Sequence, residues 1–257
     1  SEMCIRDRYY KGEHLNDIWG LTTIGIAKSQ EEMDAHLAKV DQSSVGTNWG
    51  VGDIMYADLD GDGKISNGTN KLGDTGDYRI IGNSTPRFKY GITLDAAWKG
   101  FDFSIFMQGI GKRDLWLDGC YFWGANGQGN EWQSTGFAEH WDFFRPEGDP
   151  LGANLNSYYP RVNFSGDRNT KVQTRYLQNG AYLRLKNVQL GYTLPRVWTE
   201  KAGISSVRVY VSGDNLATIT SLSKIFDPEA TGSLAGTGSG KLYPLQRVIS
   251  VGVNVNF

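Results

Sequence analysis

The sequence predicts an all-β protein built from antiparallel strands, and three features support this prediction. Glycine occupies 33 of the 257 positions, against an average share near 7%. Aromatic residues make up 12% of the chain, and aromatic side chains are favoured in strands. Apolar and polar residues also alternate in five segments of the chain, which is the pattern of a strand with one apolar face.

The five predicted strands lie in the second half of the chain. The first is followed by the turn Lys99-Gly100 and the second strand, and the last strand ends on Phe257. Their apolar faces carry no charge, whereas the opposite faces contain the charged residues Lys89, Asp95, Asp102 and Arg208. The predicted strands span residues 88–98, 101–108, 182–194, 207–212 and 249–257.

The connections between these strands differ strongly in length. Two are short, at residues 99–100 and 195–206, and two are long, at residues 111–180 and 213–247. Long connections are uncommon in a compact soluble domain. They are typical of outer-membrane barrels, in which short turns face the periplasm and long loops face outward. Because soluble β-sandwiches also alternate, alternation alone leaves both architectures open. The loop asymmetry and the terminal Phe257 favour the barrel.

Composition excludes several classes of protein. Lysine and arginine total 26 against 28 aspartates and glutamates, so the basic excess of a nucleic-acid binder is missing. Cys4 and Cys120 cannot form a disulfide framework. The sequence contains no apolar run long enough for a transmembrane helix and no secretory signal. His14, His36 and His140 are not at metal-ligand spacing, and no acid–base pair stands out, so we predict that the chain is not an enzyme.

The chain divides into three predicted parts. Residues 1–8 (SEMCIRDR) resemble translated adapter sequence from metagenomic reads, and we treat them as a non-native leader. Residues 9–86 are expected to form an extracellular segment that contains a calcium-loop-like motif. Residues 87–257 are expected to supply the five strands and their outer loops.

The calcium-loop-like motif is the strongest local signal in the chain. Carboxylates at positions 1, 3 and 5 and a glycine at position 6 match the start of a calcium-binding loop. Thr69 replaces the glutamate expected at position 12, so Asp74 or Asp77 would have to supply the missing carboxylate. The alternative is a polar turn whose aspartates bond backbone N–H groups. The candidate ligands are Asp58, Asp60, Asp62, the backbone carbonyl of Lys64, and Ser66.

The long connection at residues 111–180 is rich in aromatic side chains. Flat apolar rings with polar edges suit stacking on sugar rings or peptide side chains, but they equally suit loop packing or membrane-interface belts. The candidate substrate-binding residues are Trp116, Trp123, Trp132 and Trp141.

Several short motifs follow one another in a fixed order along the chain. They are Gly52-Asp53-Ile54, residues 58–65, residues 81–87, residues 98–102, Tyr159-Pro160-Arg161, residues 183–188, residues 212–216 and the final strand. This ordered set resembles the SusC/RagA family of TonB-dependent outer-membrane transporters. The likeness extends over roughly residues 10–257, and each motif alone is weak while the ordered set is specific.

The resemblance implies the C-terminal part of a plugged, 22-stranded transmembrane barrel in the outer membrane of a Gram-negative bacterium. The fold expected for this chain is an open, curved antiparallel sheet with long extracellular loops. The resemblance further implies import of oligosaccharides or peptides together with a SusD-like surface lipoprotein and the TonB complex. We expect the plug and the TonB-contacting segment to lie outside this chain. Calcium is the only cofactor suggested, and no nucleic-acid partner is expected.

Two other functions compete with import. The first is a secreted or surface β-sandwich that binds carbohydrate, with calcium in the acidic loop and sugar on the tryptophans. The second is a fragment of a glycoside hydrolase, which has the least support because no carboxylate pair stands out. Five strands would also leave two open edges, so we expect that the isolated chain cannot insert stably into a bilayer.

Overall fold

The computed structural model describes residues 14–69, 73–127, 129, 136–231, 237–238 and 242–257. Strands dominate these residues and the helices are short, so the all-β prediction is confirmed. In chain order the strands are β1 Asp17–Gly20, β2 Thr23–Ile26, β3 Ile54–Tyr56, β4 Arg79–Asn83, β5 Arg87–Trp98, β6 Phe101–Lys112, β7 Asp114–Leu117, β8 Gln178–Asn179, β9 Tyr182–Thr193, β10 Ser206–Thr220, β11 Thr237–Gly238 and β12 Val248–Asn256. The α-helices are α1 Gln30–Leu37, α2 Cys120–Trp123 and α3 Arg196–Thr199.

The five predicted strands form one open antiparallel sheet. Its order is β12-β10-β9-β6-β5, so β12 and β5 are its edges. The turn between β5 and β6 is tight because Lys99 and Gly100 both adopt positive φ angles, of 46° and 87°. Positive φ at both central residues is typical of the two-residue hairpin turn that matches strand twist.

The register separates an apolar face from a polar one, as the alternation predicts. One row across four strands is apolar and the next row is polar. The apolar row is Phe103, Leu190, Val211 and Val251. The polar row is Ser104, Gln189, Ser212 and Ser250. Asp102 and Arg208, which were predicted on the polar face, form an ion pair. The apolar face is exposed within this chain, and Val251 is 81% exposed.

Strand β10 is longer than the sequence predicts. The predicted alternation ends at Ser212, but the strand continues to Thr220 after a register shift between Asp214 and Ala217. Asn215 in this bulge has a φ of 52°. The strand continues because its second half pairs with the start of β9, and Arg184 Nε donates to Thr218 Oγ1 at 2.8 Å. The second long connection therefore begins after residue 220 and not at residue 213.

The chain separates into two compact units. Unit 1 comprises the residues up to Thr85, Asp114–Gln178 and Thr231–Leu242, and unit 2 comprises Pro86–Arg113, Asn179–Ala230 and Tyr243–Phe257. Unit 2 contains the five-stranded sheet, whereas unit 1 contains the small sheets β1-β4 and β2-β3. The division of the chain at residues 8 and 86 stays a prediction.

The core of unit 1 contains residues from distant segments of the chain. Leu21, Ile54 and Tyr56 are fully buried, as are Phe122 and Tyr176 from the long connection at residues 111–180. This connection is therefore folded, with β7, α2 and a set of buried aromatic rings. Helix α1 begins at Gln30 because Ser29 Oγ accepts the backbone N–H of Glu32 at 3.2 Å, which satisfies one of the free donors of the first turn.

None of the helices in the described part of the chain has the length and hydropathy that a membrane span requires.

Candidate functional site

A buried carboxylate in unit 1 joins two of the sequence motifs. Asp53 of Gly52-Asp53-Ile54 is fully buried, and its two oxygens accept hydrogen bonds from Arg161 Nε and Nη2 at 2.7 and 2.6 Å. Asp53 also accepts hydrogen bonds from Arg168 Nε at 3.2 Å, from Asn169 Nδ2 at 2.8 Å and from the backbone N–H of Gly50 at 3.0 Å. The motif residues Asp53 and Arg161, far apart in sequence, therefore hold the long connection against the first part of the chain.

Gly52 allows this junction to form. Its φ is +85°, and a Cβ atom there would lie 2.5 Å from Phe144 Cδ1 and 2.8 Å from Arg161 Cβ. Its backbone N–H donates to Ala27 and its carbonyl accepts from Arg161 N, both at 2.8 Å. The position therefore requires both the left-handed conformation and the missing side chain of glycine. These motif residues therefore serve as a scaffold within unit 1.

The acidic loop brings three carboxylates together. One oxygen each of Asp58, Asp60 and Asp77 lie within 4.8 Å of one another. Asp77 also accepts the backbone N–H groups of Leu59 at 2.6 Å and Ser66 at 2.7 Å, which fixes it against the loop. Of the two candidates for the missing carboxylate, Asp77 is therefore the one whose oxygen lies near those of Asp58 and Asp60.

The other predicted ligands make different contacts. Asp62 accepts the backbone N–H of Lys64 at 3.0 Å, and its carboxylate lies 3.5 Å from Lys64 Nζ. Ser66 Oγ accepts the N–H of Gly68 at 3.1 Å. Asp74, the second candidate for the missing carboxylate, instead accepts both the backbone N–H and the hydroxyl of Thr69, at 3.0 and 2.6 Å.

The electrostatics of the acidic loop distinguish its carboxylates. Backbone N–H donors at Gly63 and Gly61 hold the pKa of Asp58 below its usual value, against partial desolvation. At Asp60 the hydrogen bond from the Asp62 N–H lowers the pKa, but desolvation and the negative charges of Asp77, Asp62 and Asp58 together raise it above the usual value. Mutual repulsion of this kind is relieved when a cation binds.

The predicted substrate-binding tryptophans occupy different positions. Trp116 is 4% exposed and packs on Trp123, with 5.8 Å between ring centroids, so we assign it to packing. Trp123 is also buried, whereas Trp141 is 58% exposed. Trp132 lies outside the described residues.

Trp123 and Trp141 line one concave surface of unit 1, which we call the aromatic depression. It encloses about 310 Å³. Trp123 and Tyr159 lie at its floor, because each is 3% exposed, and Trp141 lies at its rim. Its lining residues are Trp123, Gly124, Ala125, Asn126, Gly136, Phe137, His140, Trp141, Phe143, Tyr159, Val162 and Phe164.

Buried rings hold the floor of the depression in place. Trp123 contacts Phe122 and Tyr176 edge-to-face, with centroids 5.2 and 4.7 Å apart, and Tyr159 stacks on Tyr176 at 6.2 Å. Arg145 lies over the Trp141 and Phe143 rings at 5.4 and 4.8 Å. Aromatic pairs in these geometries stabilise beyond their buried area. The aromatic content of the connection predicts such a cluster, but Tyr159 and Tyr176 were not among the predicted site residues.

A charged cluster in unit 2 was not anticipated from the sequence. Arg184 Nη2 of β9 donates to Asp227 at 2.7 Å, and Lys186 Nζ donates to Glu229 at 3.0 Å. Asp227 also accepts the backbone N–H groups of Glu229 at 2.9 Å and Leu245 at 3.0 Å. The cluster therefore links Asp227 and Glu229 directly to strand β9, and it links Leu245 to that strand through Asp227.

Two curated relatives share extended similarity with the chain. TonB-dependent receptor P3 of Formosa agariphila is 33% identical over 216 residues, which cover 80% of this chain and 19% of the relative. TonB-dependent receptor P26 of the same organism is 30% identical over 260 residues, which cover 97% of this chain and 23% of the relative. The chain therefore spans about a fifth of the length of these relatives. No family model matches the chain.

Solved structures agree on the fold. A structure of the RagAB peptide transporter is 24% identical, with a TM-score of 0.63, over 94% of this chain and 23% of that chain. The RagAB peptide importer in the open-open state gives 22% identity and a TM-score of 0.62, over 94% of this chain and 22% of that chain. The sequence relatives place the chain among the TonB-dependent receptors, and it spans about a fifth of their length.

Proposed function

We propose that the chain forms part of the wall and outer loops of an outer-membrane transporter that imports nutrients. The observation that supports this most strongly is the two-faced sheet of unit 2, with an exposed apolar face and a polar opposite face that contains the Asp102–Arg208 ion pair. A lipid-facing surface excludes charge, because Lys or Arg at the bilayer midplane costs about 2–4 kcal/mol, whereas a hydrated lumen accepts it.

The competing β-sandwich fits this sheet less well. A sandwich covers the apolar face of one sheet with a second sheet packed about 10 Å away. In the described residues of unit 2 the sheet is single, and Ile249, Val251 and Val253 are 57–81% exposed. A face this apolar needs a cover, and hydrocarbon supplies one.

We extend the proposal to partners and substrate. The solved relatives are described as a peptide importer and a peptide transporter, RagAB, and the curated relatives as TonB-dependent receptors. These descriptions support energy coupling through TonB, pairing with a SusD-like surface lipoprotein, and import of a peptide or an oligosaccharide.

Cell fractionation tests the proposed location. In a bacterium that expresses the intact protein, an antibody against residues 242–257 should detect it in the outer-membrane fraction and not in the soluble pool. Recovery as a soluble monomer would contradict the transporter and support the secreted carbohydrate-binding module. An import assay with labelled peptides and labelled oligosaccharides, with and without an energised inner membrane, then distinguishes the substrates.

We also propose that the acidic loop binds calcium through Asp58, Asp60 and Asp77. Their convergence and the raised pKa of Asp60 support a cation site. Asp62, the Lys64 carbonyl and Ser66 stay predicted ligands. Calorimetric titration should show binding at Kd values of about 10⁻⁴–10⁻³ M, the range of extracellular modules. Asp77→Asn should abolish the heat of calcium binding, and the control Asp74→Asn should retain it. No heat at millimolar calcium would refute the site.

A further inference from the structure

We propose that the aromatic depression of unit 1 binds an apolar side chain of a peptide and not a sugar ring. This inference rests on the proposed import function, because it assigns a substrate class to the candidate site. The depression suits a small ligand group, since its volume of about 310 Å³ lies at the lower end of the range for ligand pockets. That volume fits one or two side chains, whereas an oligosaccharide would extend beyond it.

Most of the polar side chains that line the depression are engaged within the protein. Trp123 Nε1 donates to the carbonyl of Leu117 at 3.2 Å. His140 Nδ1 accepts the backbone N–H of Phe137 at 3.1 Å, which leaves Nε2 to donate to the Phe122 carbonyl at 3.1 Å.

Asn126 is engaged in the same way. Its side-chain oxygen accepts the backbone N–H of Asn163 at 3.0 Å, and its own backbone N–H donates to the carbonyl of Trp123 at 3.1 Å. A ligand therefore cannot bond Trp123 Nε1 or the ring nitrogens of His140 without breaking contacts that hold the depression together, and Asn126 Oδ1 already accepts one hydrogen bond.

Among the side chains of the described lining residues, two polar groups remain for a ligand. The hydroxyl of Tyr159 makes no hydrogen bond with the residues that the structure describes, although Tyr159 is only 3% exposed. The indole N–H of Trp141 at the rim is likewise without a hydrogen bond among these residues. Burial raises the pKa of Tyr159, so the hydroxyl stays neutral and can donate. Both groups can donate to a carbonyl oxygen.

The small number of free hydrogen-bonding groups distinguishes a sugar ring from an apolar peptide side chain as the ligand. A sugar ring carries several hydroxyls, and each one that is buried without a partner carries a desolvation cost. An aromatic or aliphatic side chain needs no partner, and the adjoining peptide carbonyl can accept from Trp141 or Tyr159. Rings at the floor and rim supply the apolar surface, as in most small-molecule sites. The geometry therefore favours an apolar peptide side chain.

The test uses the intact protein purified in detergent and two probes, N-acetyl-phenylalanine amide and maltotetraose. Calorimetry and saturation-transfer NMR should detect the phenylalanine probe and not the sugar. Tyr159→Phe removes only the hydroxyl and should lower the affinity for the phenylalanine probe by about threefold to tenfold, the range for one hydrogen bond. Trp141→Ala should lower this affinity by about tenfold or more, because a ring contact is lost.

Matched controls lie in unit 2. Trp198→Ala removes a ring that is 66% exposed, and Tyr243→Phe removes a hydroxyl from a residue that is 88% exposed. Both should leave the affinity unchanged. Retained circular dichroism and heat modifiability show that each variant is folded.

Each other outcome overturns the inference. Binding of maltotetraose with loss on Trp141→Ala would assign the depression to sugars. Binding of neither probe, or equal affinities for the wild type, Tyr159→Phe and Trp141→Ala, would show that the depression is not a ligand site. None of these results contradicts import itself, which the fractionation and import assays test separately.

Discussion

At Asp53 a single buried carboxylate compensates two guanidinium groups, those of Arg161 and Arg168. Replacing it by asparagine removes the charge but keeps the shape, so both cations lose their counter-charge in a buried site. Breaking a buried ion pair from one side costs about 3–5 kcal/mol. We expect Asp53→Asn to destabilise unit 1 by about that amount, measured as a shift in the urea midpoint for proteolytic cleavage within residues 114–178.

Asp167→Asn is the matched control for this prediction. Asp167 pairs with Lys171 at 2.7 Å, but its side chain is 66% exposed. Exposed pairs contribute about 1 kcal/mol or less. If Asp53→Asn shifted the midpoint no more than Asp167→Asn does, the junction between the two motifs would not be a major source of stability.

The electrostatics of the acidic loop predict that the effect of calcium on stability depends on pH. The ionised form of Asp60 is disfavoured in the folded protein, because its pKa is raised by neighbouring carboxylates. Without metal, this repulsion destabilises the loop at neutral pH, and it is relieved as the pH falls and Asp60 is protonated. Calcium needs the ionised form, so its stabilising effect should be largest near pH 7 and should fade as the pH drops through the raised pKa.

Thermal unfolding with and without calcium measures this effect. The rise in Tm should be present at about pH 7 and small at about pH 4, where aspartates begin to protonate. It should persist in Asp74→Asn and disappear in Asp77→Asn. A calcium shift that is independent of pH, or one that survives Asp77→Asn, would argue against binding at these three carboxylates.

At the scale of elements, the five strands of the unit 2 sheet could be predicted, whereas the other seven described strands and the folded connections could not. Alternation fixed all five strands of the unit 2 sheet and their faces because a strand repeats every two residues. The second half of β10 was missed because its pairing depends on a bulge near Asn215, which disrupts the alternation. The connection at residues 111–180 was expected to be a loop because its core rings, such as Phe122 and Tyr176, have no regular spacing.

The connection between β10 and β12 should be ordered by Asp227. Burial raises the pKa of Asp227, but the Arg184 guanidinium and the backbone N–H groups of Glu229 and Leu245 outweigh it and hold the pKa below its usual value. A lowered pKa stabilises the fold above the ordinary aspartate pKa of about 3.9, and this contribution is lost as the pH falls through the lowered value.

Hydrogen exchange of residues 221–231 measures this contribution. Protection in the wild type should persist at about pH 5 and be lost only below about pH 4. Asp227→Asn should lower protection at neutral pH, because Arg184 loses its counter-charge. The control Glu200→Gln, which removes an exposed pair with Arg196, should change nothing. Unchanged protection in Asp227→Asn would show that other contacts order the segment.

At the scale of the whole molecule, sequence predicted the family and the two-faced sheet, but only part of each candidate site. Asp58 and Asp60 were recognised because they lie in one local motif, whereas the choice of Asp77 over Asp74 depended on how the chain returns. Tyr159 was placed in the depression by packing between distant segments, which one sequence does not reveal. Local chemistry can thus be predicted from sequence, and long-range convergence needs the fold.

The open edges of the sheet predict how the isolated 257-residue chain behaves. Strands β5 and β12 leave one side of their backbones unpaired within the sheet. In hydrocarbon each unsatisfied backbone group costs several kcal/mol. We expect refolding of this chain alone in detergent to give no heat-modifiable monomer on electrophoresis. A folded, heat-modifiable monomer would show that the sheet does not need further strands.

The central claim is that one face of the unit 2 sheet contacts lipid and the other contacts water. Neighbouring positions of β12 test it, because Val251 lies in the apolar row and Ser250 in the polar row. Spin labels would be attached to Val251→Cys and Ser250→Cys in the intact, membrane-embedded protein with its native cysteines replaced. We predict that the label at 251 is relaxed by oxygen, which concentrates in lipid, and the label at 250 by a water-soluble nickel chelate. The reverse pattern, or access of the nickel chelate to both labels, would contradict the account.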